Sequence, residues 1–305
     1  MSSLGRILIV GADGQVGREL QRSFAGAGEL IPRDRESVDL AVEDQVREMV
    51  RRDAPDIILN AAAYTNVDRA ESEPELAMAV NAHSTRVLAE EALRCGALLV
   101  HYSTDYVFDG SKPGPWVETD QPNPLNVYGA SKLAGEEAIR QVGGKYLIFR
   151  TSWVYGPHGH NFLLTMLRLG RERDRLSIVD DQIGAPTTSI ELANATRSIV
   201  DGVLAGKFGA TRDWAGIYHM TCAGSTSWYG FAREIFARAE GLLNGCKPEV
   251  SPIASKDYPT PAKRPQNSVL TSAKLFAIFS AQLAPWETAL DHALLQLSRT
   301  PSGAR

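Results

Sequence analysis

The sequence has little of what marks several classes of protein. Its 305 residues contain three cysteines, an odd number spread far apart, so neither a disulfide framework nor a cysteine metal site is indicated, and the thiols fit a reducing cytoplasm. No apolar run approaches the ~20 residues of a membrane span. The basic residues do not cluster and the formal net charge is −4, which argues against nucleic acid or a membrane as the main partner. The start, MSSLGRILIVGADGQ, predicts a first strand and not a signal peptide.

Short apolar runs alternate with amphipathic stretches through the first half of the chain. Buried strands are predicted for RILIV, DIILN, ALLVHYST and KYLIFRTS, with a weaker strand at ELIP. Helices are predicted for QVGRELQRSFAGAG, VEDQVREMVRRDAP, ELAMAVNAHSTRVLAEEALRCG and VYGASKLAGEEAIRQVGG. These repeated βα units predict an α/β fold, a doubly wound parallel Rossmann sheet.

The pattern loosens after about residue 155, where helical stretches are separated by longer and more proline-rich segments. We expect residues 1–155 to form a dinucleotide-binding domain. Residues 156–305 are expected to form mainly a smaller α+β C-terminal lobe for the substrate, with some later segments returning to the sheet.

A glycine-rich turn follows the first predicted strand directly. IVGADGQVGREL has G-x-x-G-x-x-G spacing between that strand and the first helix. Such glycines let the backbone turn tightly beside a pyrophosphate, and the helix N-terminus offers it unpaired N–H groups. An ordinary glycine turn is the alternative, but the strand–glycine–helix context favours a dinucleotide site. The residues predicted to line it are Gly11, Asp13, Gly14, Gln15, Val16 and Gly17.

Residues at the ends of the following strands are predicted to contact the rest of the dinucleotide. Asp34 lies ~20 positions beyond the glycines, where a carboxylate favours the ribose hydroxyls of NAD. Arg33 and Arg35 flank Asp34, and arginine favours the 2′-phosphate of NADP, so NADH and NADPH both stay open. Further cofactor contacts are expected from Asp39, Leu40, Ala61, Ala62, Ala63, Tyr64, Tyr102, Tyr128 and Lys132, the last of which can hold the nicotinamide ribose.

The stretch NVYGASK carries a tyrosine and a lysine one helical turn apart. Tyr128 and Lys132, at i and i+4, share one face of a predicted helix. A free tyrosine has a pKa of ~10, and a nearby ammonium is expected to lower it, which would suit proton transfer near neutral pH. Thr104 ends the fourth predicted strand, and its hydroxyl could orient a substrate oxygen beside Tyr128. A Tyr-x-x-x-Lys alone is common on helix surfaces, but behind a glycine turn and after Thr104 it indicates a reductase site.

This constellation resembles the extended short-chain dehydrogenase/reductase family. Within it, stretches along nearly the whole chain are similar to the dTDP-4-dehydrorhamnose reductases: GQVGREL, NAAAYTNVDRAESEPELA, HYSTDYVFDG, PLNVYGASKLAGE, FRTSWVYG, DDQIGAPT and YPTPAKRPQNS. The resemblance implies Thr104, Tyr128 and Lys132 as the catalytic triad.

The substrate contacts are implied by the same resemblance. Asp105 and Trp153 would touch the deoxysugar, and Arg264 could face the diphosphate. A core aromatic is the alternative interpretation of Trp153, and a surface arginine that of Arg264. The implied partner is a nucleotide sugar.

The implied reaction is reduction of a nucleotide-linked 4-keto-6-deoxy-L-sugar at C4, with NADPH or NADH as the hydride donor and Tyr128 as the proton donor. Two alternatives stay open: a nucleotide-sugar epimerase or dehydratase that recycles a tightly held NAD, and a non-catalytic NADP-binding regulatory subunit. Sugar dehydratases of this family have a Thr-Asp-Glu run, whereas here Tyr106 follows Thr104 and Asp105.

Metal binding is not predicted. Some members of the family hold magnesium at a dimer contact through glutamates; Glu19 could match one of these, but the others have no convincing counterparts, so a magnesium ion and a homodimer of that kind are left open. His83, His101 and His219 lack the spacing of metal ligands and are interpreted as structural.

Overall fold

Parallel strands and intervening helices make up the first half of the chain in the computed structural model, which describes residues 3–246 and 248–299. The strands are β1 (Arg6–Val10), β2 (Glu29–Arg33), β3 (Ile57–Asn60), β4 (Leu98–Thr104), β5 (Tyr146–Thr151), β6 (Val154–Tyr155), β7 (Arg175–Val179), β8 (Ile183–Gly184), β9 (Thr187–Thr188), β10 (Gly216–His219), β11 (Thr226–Ser227) and β12 (Glu249–Ile253). The α-helices are α1 (Gln15–Ser23), α2 (Glu43–Asp53), α3 (Val67–Ala70), α4 (Pro74–Met78), α5 (Ser84–Cys95), α6 (Val127–Val142), α7 (Phe162–Glu172), α8 (Ser189–Leu204), α9 (Thr211–Trp214), α10 (Trp228–Arg238), α11 (Ala273–Phe279) and α12 (Trp286–Arg299).

Six strands form one parallel sheet in the order β10-β5-β4-β3-β1-β2. The strand order reverses between β1 and β3, and doubly wound sheets bind their ligands at the carboxyl ends of the strands beside such a switch point. The predicted fold class is confirmed. The edge strand β10 comes from the second half of the chain, whose other strands pair as β8 with β11, β7 with β12, and β6 with β9.

Apolar side chains alternate between the two faces of the sheet. In β1, Ile7 and Ile9 enter one core cluster, while Leu8 and Val10 enter the other. Helices α2, α5 and α6 cover the Leu8 face, and α1 and α8 cover the Ile7 face. The cluster on the Ile7 face continues into α10 and α12, so the second half of the chain shares this core with the sheet. Among the described helices, none has both the length and the apolar character needed to cross a bilayer.

The single long helix predicted before Gly96 is interrupted in the structure. A π-helical turn over Ala79–His83 separates α4 from α5. Asn81 lies in this turn, where its side chain accepts from the Tyr64 backbone N–H at 2.8 Å and donates to Ser131 Oγ at 2.9 Å. The wider turn therefore directs Asn81 onto both the loop after β3 and helix α6, which periodicity alone could not indicate.

The glycine turn brings the start of α1 close to β1. Gly11 has φ +80°, and a Cβ there would lie 2.7 Å from the backbone of Ala62. A Cβ on Gly17 would lie 2.0 Å from the Gly11 carbonyl oxygen. Only glycine therefore allows the helix and the turn to approach this closely.

Gly17→Ala is expected to lower both the melting temperature and the affinity for a reduced dinucleotide, the latter by at least about 10-fold, because α1 must move away from the turn. Thermal unfolding and a fluorescence titration with NADPH measure the two effects. Gly241→Ala is the matched control, since a Cβ there meets no atom within 4 Å. Native affinity in Gly17→Ala would contradict the role given to this close approach.

Candidate active site

Three predicted catalytic side chains meet at the carboxyl end of β4. Thr104 is the last residue of β4, and Tyr128 and Lys132 lie in the first turns of α6, which packs on that strand. The Thr104 side chain acts on the Tyr128 phenol and lowers its pKa. The Thr104 hydroxyl also donates to Asp105 Oδ1 at 3.1 Å and accepts from the Tyr106 N–H at 3.2 Å.

Lys132 is buried, with 1% of its surface exposed. Its Nζ donates to the Tyr102 carbonyl oxygen at 2.6 Å and lies 3.1 Å from His101 Nε2. Burial lowers the pKa of Lys132 to about 7, and the negative charge of Glu136 opposes this shift. Burial thus favours the neutral amine over the ammonium at this position.

The pKa of Tyr128 is displaced in the direction opposite to the one expected from the sequence. Burial is the largest cause and raises the pKa of the phenol, the hydrogen bond with Thr104 lowers it, and the charges of Asp105 and Tyr106 raise it. The expected net lowering of this pKa is wrong here, because burial outweighs any effect of Lys132, which is itself desolvated and donates to the Tyr102 carbonyl. Tyr128 is thus a protonated phenol, ready to donate.

Asp105 presents a buried carboxyl group beside these residues. Its Oδ1 accepts a hydrogen bond from the Thr104 hydroxyl, whereas Oδ2 has no hydrogen-bond partner among the described residues. Burial raises the pKa of Asp105 to about 7, and the Ser268 and Thr104 side chains act against that shift. An unpaired buried oxygen next to Thr104 is suited to accept a hydrogen bond from a hydroxyl group of a bound sugar.

Helix α6 is fixed at both its start and its middle. Asn126 caps the helix, accepting from the Gly129 N–H at 2.8 Å, and its Nδ2 donates to the Lys263 carbonyl oxygen at 2.8 Å. One turn beyond Lys132, Glu136 pairs with Arg150 of β5 through Nη2–Oε2 at 2.6 Å and Nε–Oε1 at 2.9 Å. These contacts set the position of the catalytic helix against the sheet.

The glycine turn fits the pyrophosphate of a dinucleotide. Gly14 occupies the N-cap position of α1 without a side-chain cap, so the first N–H groups of the helix remain available to an anion. Asp13 is exposed, Val16 packs on the core, and Gln15 Oε1 accepts from Asn161 Nδ2 at 2.9 Å. The absence of Cβ atoms on the glycines leaves the backbone open to close approach.

The two arginines around Asp34 differ in their surroundings. Arg33 makes a two-point ion pair with the buried Asp53, with Nε–Oδ2 and Nη2–Oδ1 both at 2.8 Å. Arg35 is exposed on the loop after β2. The Ser37 side chain is the largest cause that lowers the pKa of Asp34, and the backbone N–H groups of Ser37 and Glu36, from which the carboxylate accepts, add to it. Arg33 is thus held by the fold, whereas Arg35 is exposed.

The remaining predicted cofactor residues lie along the carboxyl edge of the sheet, with one exception. Asp39 accepts from the Ala41 N–H at 2.9 Å, Leu40 is half-buried after it, and Ala61, Ala62, Ala63 and Tyr64 follow β3. The phenol of Tyr64 donates to Glu73 at 2.6 Å. Tyr102 is the exception, because its phenol lies 2.7 Å from Thr196 Oγ1 in the core and only its carbonyl faces Lys132.

Trp153 follows β5 in a strained conformation. Its φ of +48° is rare for a residue with a bulky side chain. The indole ring stacks on Trp228 of α10, with ring centroids 3.6 Å apart and planes 7° apart. The stack holds a half-buried ring between β5 and α10, with Gly184 also against the ring, and the contact of Trp153 with a sugar stays a prediction.

Arg264 is held at the catalytic end of the site. Its Nη2 lies 2.8 Å from Asp68 Oδ2 of α3, and it is hydrogen-bonded to Tyr106. The Tyr106 ring meets the Tyr128 ring edge-on, with centroids 5.8 Å apart. The contact of Arg264 with a diphosphate, expected from the sequence, therefore stays a prediction.

Comparisons with known proteins agree with this arrangement. The family described as the RmlD substrate binding domain matches residues 5–299. The chain is 47% identical to a dTDP-4-dehydrorhamnose reductase of Burkholderia thailandensis over 294 residues, covering 93% of this chain and 96% of that protein. The chain is 45% identical to the dTDP-4-dehydrorhamnose reductase of Escherichia coli K12 over 300 residues, which cover 96% of this chain and 98% of that protein.

The chain belongs to the dTDP-4-dehydrorhamnose reductase family. The resemblance inferred from its motifs is thereby confirmed. A crystal structure of a dTDP-4-dehydrorhamnose reductase from Bacillus anthracis in complex with NADP superposes with a TM-score of 0.88 at 37% identity, covering 97% of this chain and 100% of that one.

The structure gives no support to a magnesium site of the kind some dTDP-4-dehydrorhamnose reductases have. In the part of the chain that is described, no three His, Cys, Asp or Glu side chains are grouped to hold a metal ion. Glu19 is buried on α1, with Oε2 3.3 Å from Arg22 Nη1 and Oε1 3.7 Å from His158 Nε2. The neighbours of Glu19 are thus basic side chains.

Several residues of this site were not found from the sequence. Trp228, Asp68 and Ser268 contact predicted site residues from positions distant in the chain, and no local pattern marks them. Asn126 had a usable signal, because asparagine directly before a helix is a typical N-cap.

Asp105→Asn is expected to raise the melting temperature most at pH 8 and progressively less toward pH 5. The ordinary pKa of an aspartate is about 3.9, and burial raises the pKa of Asp105 to about 7 in the folded protein, so folding favours the protonated acid. The stability that this group contributes is complete below the unfolded pKa and is lost as the pH rises to about 7, by at most about 4 kcal/mol. Asparagine cannot ionise and avoids that loss.

Thermal unfolding at pH 5, 6 and 8 measures this effect, and the KM for the sugar, which should rise, reports the lost carboxylate. Asp109→Asn is the matched control, because hydrogen bonds from Ser111 and Asn123 lower the pKa of Asp109 and should reverse the trend. An equal change of melting temperature at all three pH values in Asp105→Asn would contradict the assignment.

Proposed function

We propose that this protein reduces the C4 keto group of dTDP-4-dehydro-L-rhamnose to give dTDP-L-rhamnose, with NADPH or NADH as the hydride donor. The observation that carries the proposal is the meeting of Thr104, Tyr128 and Lys132 at the carboxyl edge of the sheet, next to the glycine turn, in a chain of this family. When bound, the reduced nicotinamide supplies the hydride.

The residues of the chain supply the proton and the geometry. Thr104 turns its single hydroxyl proton from Asp105 Oδ1 to the keto oxygen of the bound sugar and orients it, and Tyr128, protonated because burial raises its pKa, transfers its proton to that oxygen. A protonated Lys132 favours the negative charge that develops on the Tyr128 oxygen. Asp105 and Trp153 hold the sugar, and Arg264 lies toward its nucleotide side.

A dehydratase is disfavoured by Tyr106. Elimination of water from a sugar needs a base that removes a proton from carbon. Burial raises the pKa of Tyr106 to about 12, and Arg264 opposes that shift, so Tyr106 is a neutral phenol at physiological pH. It cannot serve as the carboxylate base of a Thr-Asp-Glu run.

The cellular location and assembly follow as further proposals. Cys95, Cys222 and Cys246 are unpaired in the structure. Free thiols, two of them exposed, suit a reducing compartment, and we place the protein in the cytoplasm. A homodimer is the assembly proposed, with size-exclusion chromatography and light scattering as its test.

Incubation with a panel of nucleotide 4-keto sugars tests the function. We expect dTDP-4-dehydro-L-rhamnose to consume one equivalent of NADPH per product, followed by absorbance and by chromatography of the nucleotide sugars. With dTDP-glucose and NAD⁺ we expect no 4-keto product. Formation of that product would indicate a dehydratase, and failure to oxidise NADPH with any 4-keto sugar would indicate the regulatory subunit.

Tyr128→Phe is expected to lower kcat by at least about 100-fold, because the ring remains but the proton is lost. The dissociation constant for NADPH should change little. Tyr106→Phe removes a second phenol whose ring centroid lies 5.8 Å away, and a loss below about 10-fold is expected for it. Near-normal turnover by Tyr128→Phe would exclude Tyr128 as the proton donor.

Arg35→Ala is expected to lower kcat/KM for NADPH by about 10-fold, or 1.4 kcal/mol, and to leave kcat/KM for NADH nearly unchanged. The reason is that Arg35 is exposed where a 2′-phosphate would lie, while Arg33 is occupied by Asp53. The comparison variant, Arg33→Ala, should lower the melting temperature and affect both cofactors alike. Steady-state kinetics with both cofactors measure these effects. If Arg35→Ala lowers kcat/KM for NADH as much as for NADPH, Arg35 does not recognise the 2′-phosphate.

A further inference from the structure

His101 lies directly behind the lysine of the candidate active site. It is the fourth residue of β4 and is completely buried. Its Nε2 lies 3.1 Å from Lys132 Nζ, and its Nδ1 lies 3.0 Å from Asn60 Nδ2. The ring therefore bridges the end of β3 and the inner face of α6. Its direct contact with Lys132 goes beyond the structural role that the sequence suggested.

The contacts of Asn60 fix the tautomer of His101. Asn60 Oδ1 accepts from the Ala62 N–H at 3.3 Å, which leaves Nδ2 as the atom facing the ring. An amide NH₂ can only donate, so Nδ1 of His101 is the acceptor. Burial and the charge of Lys132 both lower the pKa of His101, so the ring is neutral and carries its proton on Nε2.

The proton on Nε2 points at Lys132. A neutral amine can accept this hydrogen bond through its lone pair while donating its own N–H to the Tyr102 carbonyl, whereas an ammonium has three donors and no lone pair. The two contacts of Nζ, with His101 Nε2 and with the Tyr102 carbonyl, therefore favour the neutral form of Lys132 over the ammonium. It also holds Nζ between two fixed points on the same strand.

The other groups around Lys132 do not produce this effect. Nζ contacts His101 Nε2 and the Tyr102 carbonyl oxygen of β4, Glu136 on its own helix acts on its charge, and Arg150 on β5 is paired with Glu136. Glu136 favours the charged amine but is paired with Arg150, and the Tyr102 phenol points away to Thr196. His101 is the group whose N–H meets Nζ.

We propose that His101 is a positioning residue for the reduction proposed above, on which this inference rests: its Nε2–H fixes the direction of Lys132 and weakens the hold of Lys132 on its proton. His101 touches neither substrate nor cofactor in this scheme. It acts through Lys132, and through Lys132 on Tyr128.

Two substitutions distinguish the hydrogen bond between His101 and Lys132 from the packing contribution of the His101 ring. In His101→Asn the short amide reaches Asn60 but not Lys132, and in His101→Gln the amide reaches the former position of Nε2 and can bond to Nζ. We expect the plateau kcat of His101→Asn to fall about 10-fold. Its activity should be retained to a pH higher by roughly half a unit, because Lys132 keeps its proton longer. We expect His101→Gln to recover most of the plateau kcat.

His219→Asn is the control for a purely structural effect. His219 is a second fully buried histidine, on β10, and its ring makes no hydrogen bond to the described side chains. His219→Asn should lower the melting temperature and leave the pH profile of kcat unchanged. The inference is overturned if His101→Asn has the native plateau and profile, or if His101→Asn and His101→Gln are impaired equally.

A measurement on the free protein is independent of turnover. In ¹⁵N-histidine NMR spectra, assigned with His101→Asn, we expect the His101 ring to stay neutral from pH 6 to 9 with its proton on Nε2. A proton on Nδ1, or titration within that range, would overturn the inference. If the native protein oxidises no NADPH with any 4-keto sugar, the proposed function fails, while the NMR result still decides the state of His101.

Discussion

The buried ion pair between Glu136 and Arg150 is the contact on which the candidate active site depends. Glu136 is 1% exposed and Arg150 is 2% exposed, and Ser103 adds a hydrogen bond to the same carboxylate. Loss of one partner from such a pair typically costs about 3–5 kcal/mol, because the other charge stays buried. The pair therefore locks α6 to β4 and β5 at one register. That register brings Lys132 and Tyr128 to the end of β4.

Desolvation explains the protonation states of the site better than pairwise charges do. Burial is the largest cause of the pKa shifts of Lys132, Asp105 and Tyr128, and in each case it favours the neutral form. A proton donor that must hold its proton until the substrate is in place benefits from such surroundings. Thr104 acts against burial at Tyr128 and Asp105, and Glu136 does so at Lys132, but burial outweighs them in each case.

The sequence predicts the sheet and the common face of Tyr128 and Lys132, because both follow from local periodicity. The sequence does not predict which distant residue a side chain contacts. Arg33 and Arg35 are equivalent by spacing, yet only the first meets Asp53, on a helix that ends beside it in three dimensions. Lys132 likewise turns to a carbonyl of β4. These choices depend on tertiary packing, which no short motif records.

The last third of the chain completes a site that the first half begins. Ser268 bonds to the carboxyl group of Asp105, Arg264 pairs with Asp68, and the Lys263 carbonyl receives the N-cap of the catalytic helix. Thr104 at the end of β4 and Tyr128 on α6 therefore do not form the whole candidate site without residues from this later segment. The same segment acts on Asp105 and orients the start of α6. The residues predicted to bind the substrate and those predicted to transfer the proton therefore depend on one stretch of backbone.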